Sequence, residues 1–99
     1  PDSSIRKDLS YVYNYEFSRF YYNEGKYAAS LPYAEQALES RPQSSEASQL
    51  FVNSLLNKTQ YASTAERASL LLTYQQKFPV LNENNYFISS IGLSYLQQM

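Results

Sequence analysis

The sequence predicts an all-α fold of five helices. Three observations carry that reading. Apolar residues recur at steps of three and four along nearly the whole chain, which is the period of one helix face. No stretch shows sustained strict alternation, and the chain holds no more than four Val and four Thr, which argues against sheet. Turn and cap residues (Gly25, Pro42, Pro79 and the cluster Asn82-Glu83-Asn84-Asn85) separate the periodic segments.

The first helix carries Ile5, Leu9, Val12, Tyr13, Phe17, Phe20 and Tyr21 as its expected core stripe. Asp2, Ser3 or Ser4 caps its start. Asn23-Glu24-Gly25-Lys26 ends it, with Gly25 suited to a left-handed cap. The second carries Tyr27, Leu31, Ala34, Ala37 and Leu38 and stops before Pro42. Pro32 removes a backbone donor, so this helix is expected to kink or to start late. The third carries Ala47, Leu50, Phe51, Leu55 and Leu56, and Asn57 to Ser63 forms a polar connection. The fourth carries Ala65, Ala68, Leu71 and Leu72 and closes at Phe78-Pro79. The fifth carries Phe87, Ile88, Ile91, Tyr95 and Leu96. Short connections predict antiparallel neighbours, paired first with second and third with fourth, the fifth lying over them. Ile88, Ile91 and Tyr95 are expected to face the core, leaving Phe87, Leu93 and Leu96 as apolar surface.

Composition excludes several classes of function. The chain has 99 residues, no His, no Cys and no Trp, with 11 Tyr and 5 Phe. That length is one domain or part of one. Without imidazole or thiolate there is no ordinary zinc or haem site, and no disulfide. No acidic cluster stands at the loop spacing that calcium or magnesium needs, so no metal or cofactor is expected. Eight basic against nine acidic residues, a formal net charge of −1, give no electrostatic footprint for nucleic acid. The longest apolar run is Leu70-Leu71-Leu72, far short of the ~20 residues of a membrane span. Serines are abundant but have no His beside them, and Glu35 and Glu39 read as a solvated stripe. No catalytic residue is assigned, and an enzyme is not expected. Asn57-Lys58-Thr59 is a glycosylation sequon of a kind that arises often by chance. Low charge, many Ser, Asn, Gln and Tyr and no Cys lean toward a bacterial envelope or secreted setting.

The segment from Asn14 to Pro42 resembles a tetratricopeptide repeat (TPR), a helix–turn–helix unit of 34 residues. Asn14 stands in the family's Trp slot, Phe17-Ser18 in its Leu-Gly slot and Tyr21 in its Tyr slot. Gly25-Lys26-Tyr27 matches the turn, Ser30 the small residue opening the second helix, and Ala34 the aromatic slot, with Tyr33 beside it. Ala37-Leu38 and Pro42 complete the unit. A second unit is looser: Glu46-Ala47, Phe51-Val52 and Leu55 match its first helix, the turn from Asn57 to Thr64 is irregular, and Ala68, Leu72 and Pro79 do not all share one register. Ile88, Ile91-Gly92 and Tyr95 match the opening of a third.

The resemblance implies a single domain over 1–99, with repeat one about 11–42, repeat two about 45–79 and a closing helix about 84–99. It also implies antiparallel pairs stacked as a right-handed superhelix. In this family the first helix of each unit lines a concave groove that takes a protein or peptide. The matching positions are Val12, Tyr15, Arg19, Tyr22 and Asn23 in unit one. In unit two they are Glu46, Gln49, Asn53, Leu56 and Asn57, and in the closing helix Tyr86, Ser89, Leu93 and Leu96. Aromatic residues and Arg are common interface anchors. The alternative reading of Tyr15 and Tyr22 is packing against neighbouring helices. Arg19 alone is basic among these positions, so a clamp for two carboxylates is not expected.

The expected function is therefore an adaptor or scaffold module binding a protein or peptide segment. The rival reading is a structural or self-association segment of a larger protein, with the last helix as the candidate surface for homo-oligomers.

Overall fold

A computed structural model describes the backbone over residues 3–98 and the side chains over 6–93. Every regular element among the described residues is helical, with no strand. The helices are α1 (Ser3–Asn23), α2 (Tyr27–Ser40), α3 (Ser45–Lys58), α4 (Thr64–Lys77) and α5 (Asn85–Gln98), with a 3₁₀ turn at Pro79–Glu83 before α5. They form an elongated body of 53 × 27 × 18 Å.

Local chemistry sets the boundaries. Gly25 has φ of 76°, and the Gly25 and Lys26 amides donate to the Tyr22 and Tyr21 carbonyls, which closes the end of α1. Ser44 caps α3 by accepting from the Ala47 amide at 3.1 Å, and Ser63 caps α4 by accepting from the Glu66 amide at 3.2 Å. Asn84 does the same for α5, accepting from the Phe87 amide at 3.0 Å. Pro32 lies inside α2, which begins at Tyr27 all the same. The 3₁₀ turn follows the chain stop at Phe78-Pro79 and was not foreshadowed by any periodicity. Thr59 of the sequon is buried and its hydroxyl donates to the Leu55 carbonyl at 2.8 Å.

α1 packs closely on α2 and α2 on α3. Small residues permit this. Ser18 of α1, Ser30 of α2 and Ser54 of α3 are fully buried at the crossings. Ser18 and Ser30 meet Oγ to Oγ at 2.8 Å, and Ser30 Oγ donates to the Ser18 carbonyl at 2.8 Å. Ser30 and Ser54 meet at 2.9 Å. Each hydroxyl is satisfied, so the close approach carries no stranded polar group.

The expected pairing of α3 with α4 is replaced by a different arrangement. α4 packs on α5, and α3 and α4 make at most a marginal backbone contact among the described residues. They meet instead through large side chains: the Phe51 ring lies 4.9 Å from Tyr74 and 5.7 Å from Phe78, edge-on to both. Bulky residues hold the two backbones apart where serine and alanine bring α1, α2 and α3 together. Lys77 ties the end of α4 to α2, reaching Glu35 at 2.6 Å and Glu39 at 2.9 Å.

Two helices turn differently from the expected stripes. In α1, Leu9, Val12, Tyr13, Phe17 and Phe20 are exposed, and Tyr11, Asn14 and Ser18 are buried. The helix is apolar on two sides, and its small residue, Ser18, selects the side that can approach Ser30. Asn14 is accommodated because its amide donates to the Ser10 carbonyl at 2.9 Å. In α5, Phe87 and Ile91 face the core and Ile88 is exposed. The expected positions of Tyr95 and Leu96 lie outside the described side chains.

Candidate functional site

α1 and α3 border a shallow groove of about 540 Å³, lined by Tyr15, Arg19, Tyr22, Asn23, Ser45, Glu46, Gln49, Leu50 and Asn53. Seven of the residues expected on the partner-binding face meet here: Tyr15, Arg19, Tyr22, Asn23, Glu46, Gln49 and Asn53. Helical spacing explains the grouping. Positions 15, 19 and 22 share one stripe of α1, and 46, 49 and 53 share one stripe of α3.

The two tyrosines form the floor. Each is half-buried and packs against the core. Tyr15 stacks on Tyr11 at 5.8 Å, and Tyr22 lies edge-on to Tyr27 at 5.4 Å. Tyr11 is itself held from both sides. Its hydroxyl shares a hydrogen bond with Ser44 at 2.8 Å, and the Arg41 guanidinium sits 4.2 Å from its ring centre. Burial, and then the Glu46 carboxylate, push the Tyr15 hydroxyl above its usual pKa, so it stays a neutral donor at physiological pH. The packing reading of these tyrosines and the groove reading thus describe two faces of the same rings.

The rim is polar. Arg19 is exposed and paired with Glu16 at 2.7 Å. Gln49 donates to Asn53 at 3.2 Å and accepts from Asn84 at 3.1 Å. Asn57 is half-buried and donates to the Asn53 carbonyl at 2.8 Å, which draws it along the helix rather than into the groove. The groove therefore offers one guanidinium, one carboxylate, three side-chain amides and two phenols. That set suits donors and acceptors of an extended polypeptide better than a single charged group.

The other expected residues fall elsewhere. Leu56 is 4% exposed and belongs to the core. Because α3 is covered on several sides, with Leu50, Phe51, Val52, Leu55 and Leu56 all buried, its free face is mainly Ser45, Glu46, Gln49 and Asn53. Val12 is exposed on α1 but does not line the groove. Tyr86 is exposed and lines a neighbouring hollow of about 390 Å³ with Ser45, Ser48, Gln49, Val80, Glu83, Asn84 and Asn85. Gln49 and Ser45 border both hollows, so Tyr86 extends the groove along the α3 edge. Ser89 and Leu93 are exposed on α5, and Leu96 lies outside the described side chains. Reasoning from spacing missed Ser45 and Leu50. Leu50 falls on the core stripe of α3, and its place at the edge of that helix lets it serve both.

Among the described residues no three of the acidic side chains converge as a metal site, and no helix is long and apolar enough to cross a membrane. The fold and the groove together define an all-helical chain with an open, mixed-polarity trough. No family model matches the sequence, and neither a curated protein nor a solved structure matches it.

Proposed function

We propose that the chain is a protein–protein interaction module of the TPR type, about two repeats and a closing helix, that takes an extended peptide segment in the trough between α1 and α3. One observation carries this reading: residues from two separate helices, chosen by the repeat spacing, line one open groove with amides, phenols and a guanidinium. The serines at the α1, α2 and α3 crossings add support, since they stand where a helical repeat needs small side chains. The displaced α4 departs from a regular second repeat. On this reading the chain binds rather than catalyses, and it needs no cofactor.

The test is selection of displayed random peptides on the immobilised chain, followed by amide and side-chain NMR mapping of one selected peptide. Resonances of Arg19, Asn23, Gln49 and Asn53 are expected to move, and the pair Arg19→Ala with Asn53→Ala is expected to weaken binding at least severalfold while circular dichroism stays unchanged. Peptides whose shifts fall wholly outside the groove would remove this reading. The rival, a self-association segment, is favoured by one feature, the exposed apolar side of α1.

A further inference from the structure

α1 is apolar on a side that the described residues leave largely open. Leu9, Tyr13, Phe17 and Phe20 recur at steps of three and four on this side, between 38% and 66% exposed, with Val12 at its edge. Their rings form a connected surface. Tyr13 meets Phe17 at 4.6 Å, Phe17 meets Tyr33 of α2 at 5.5 Å, and Tyr33 meets Tyr21 at 5.7 Å. A helix apolar most of the way round is ordinarily buried all round. The side lies opposite the groove, because Tyr15 and Tyr22 stand about half a turn away from Tyr13 and Phe20.

The charges along this side decide what fits it. Asp8, on the groove side with Tyr15 and Tyr22, is closed onto Arg41 at 2.9 Å, and Glu16, at the edge of the apolar stripe, onto Arg19 at 2.7 Å. Lys7 stands on the α2 side, beside Pro32, Glu35 and Glu39. Arg6 and Glu24 remain. Both are exposed, fall on the same stripe as the apolar residues, and take part in no ion pair among the described residues. They stand at opposite ends, about 27 Å apart along the axis. The stripe thus runs from cation through apolar middle to anion, and a copy of itself turned end for end is its complement.

We propose that this side of α1 is the seat of a second copy of the chain, in a two-fold dimer whose α1 helices run antiparallel. In that register Arg6 of each copy faces Glu24 of the other, and Tyr13 of each packs on Phe17 of the other. The symmetry is what a self-complementary patch requires. The apolar area available is on the order of 500 Å² per copy, so the pair reaches the ~1,000 Å² at which specific interfaces begin. The dimer is accordingly weak, and it leaves both peptide grooves open on its outer sides.

The test is sedimentation velocity of the full chain from micromolar to near-millimolar concentration. A reversible monomer–dimer equilibrium is expected. Tyr13→Glu with Phe20→Glu should abolish it with helix content unchanged, since both side chains are solvent-facing in the monomer. Arg6→Glu should weaken dimerisation severalfold by setting two carboxylates against each other, and Arg6→Glu with Glu24→Arg should restore it. A chain that stays monomeric throughout, or a dimer indifferent to the Tyr13 and Phe20 changes, would overturn the proposal and leave this side for a different protein. A double reversal that fails to restore association would overturn the antiparallel register. Peptide binding in the groove is independent of each of these outcomes.

Discussion

Ser30 and Ser54 meet Oγ to Oγ at 2.9 Å across the contact of α2 with α3, and neither has any exposed surface. Ser30 also reaches back to Ser18 on α1, so one small side chain joins three helices.

Enlarging that side chain is expected to be costly. Ser30→Leu must force α1 and α3 away from α2, at about 1–3 kcal/mol for overpacking alone. It also strands the Ser54 hydroxyl, at about 1–3 kcal/mol for an unsatisfied group, while Ser18 keeps its bond to the carbonyl of residue 30. Ser54→Ala removes a single hydrogen bond and is expected to cost about 0.5–1.5 kcal/mol. Urea unfolding followed by circular dichroism ranks the two. Equal midpoints would mean that the close crossing does not depend on residue 30.

Phe51 carries the join between the two halves of the molecule. It is fully buried and meets Tyr74 and Phe78, where α3 and α4 otherwise stay apart. Phe51→Ala is expected to cost about 3–5 kcal/mol. The loss should be unevenly distributed. Amides of α4 and α5 should lose hydrogen-exchange protection before those of α1 and α2, whose serine contacts are untouched. Uniform loss of protection across the five helices would instead show that the molecule unfolds as one unit.

Alkaline stability should depend on Lys77. Hydrogen bonds that its ammonium donates to Glu35 and then to Glu39 raise its pKa above the usual lysine value. A raised pKa in the folded state means that the folded chain holds its proton longer. The stabilisation is therefore fully present below about pH 10, the usual lysine range, and is lost as pH climbs beyond it. Tyr74 acts in the same direction. Burial, and then Glu35, raise its pKa, so the unfolded chain loses that proton first. The Lys77 side chain is 44% exposed, which keeps the paired charges to about 1 kcal/mol or less after solvent screening. Lys77→Met should lower stability modestly at neutral pH (~0–1 kcal/mol) and flatten the fall above about pH 10, followed by thermal melts. An unchanged alkaline slope would show that the pair contributes nothing in solution.

The sequence by itself determined the all-helical class, the five helices and their ends. Those features are local: they follow from apolar period, from capping by Ser44, Ser63 and Asn84, and from the positive φ that Gly25 alone among the described residues adopts. It also placed Tyr15, Arg19 and Tyr22 together on α1, and Gln49 and Asn53 together on α3, because residues three and four apart share a face in any helix. Tertiary structure decided which face of a two-sided helix is buried. Period alone treats Tyr13 and Phe17 as better core residues than Asn14 and Ser18, yet the small and hydrogen-bonded pair lies inward, since only it permits α2 to approach. Tertiary structure likewise decided between the core and the groove readings of Leu56, taking it into the core, and set α4 against α5. Both outcomes depend on how many neighbours a helix acquires and how bulky their side chains are, and neither is written in the spacing of any one segment.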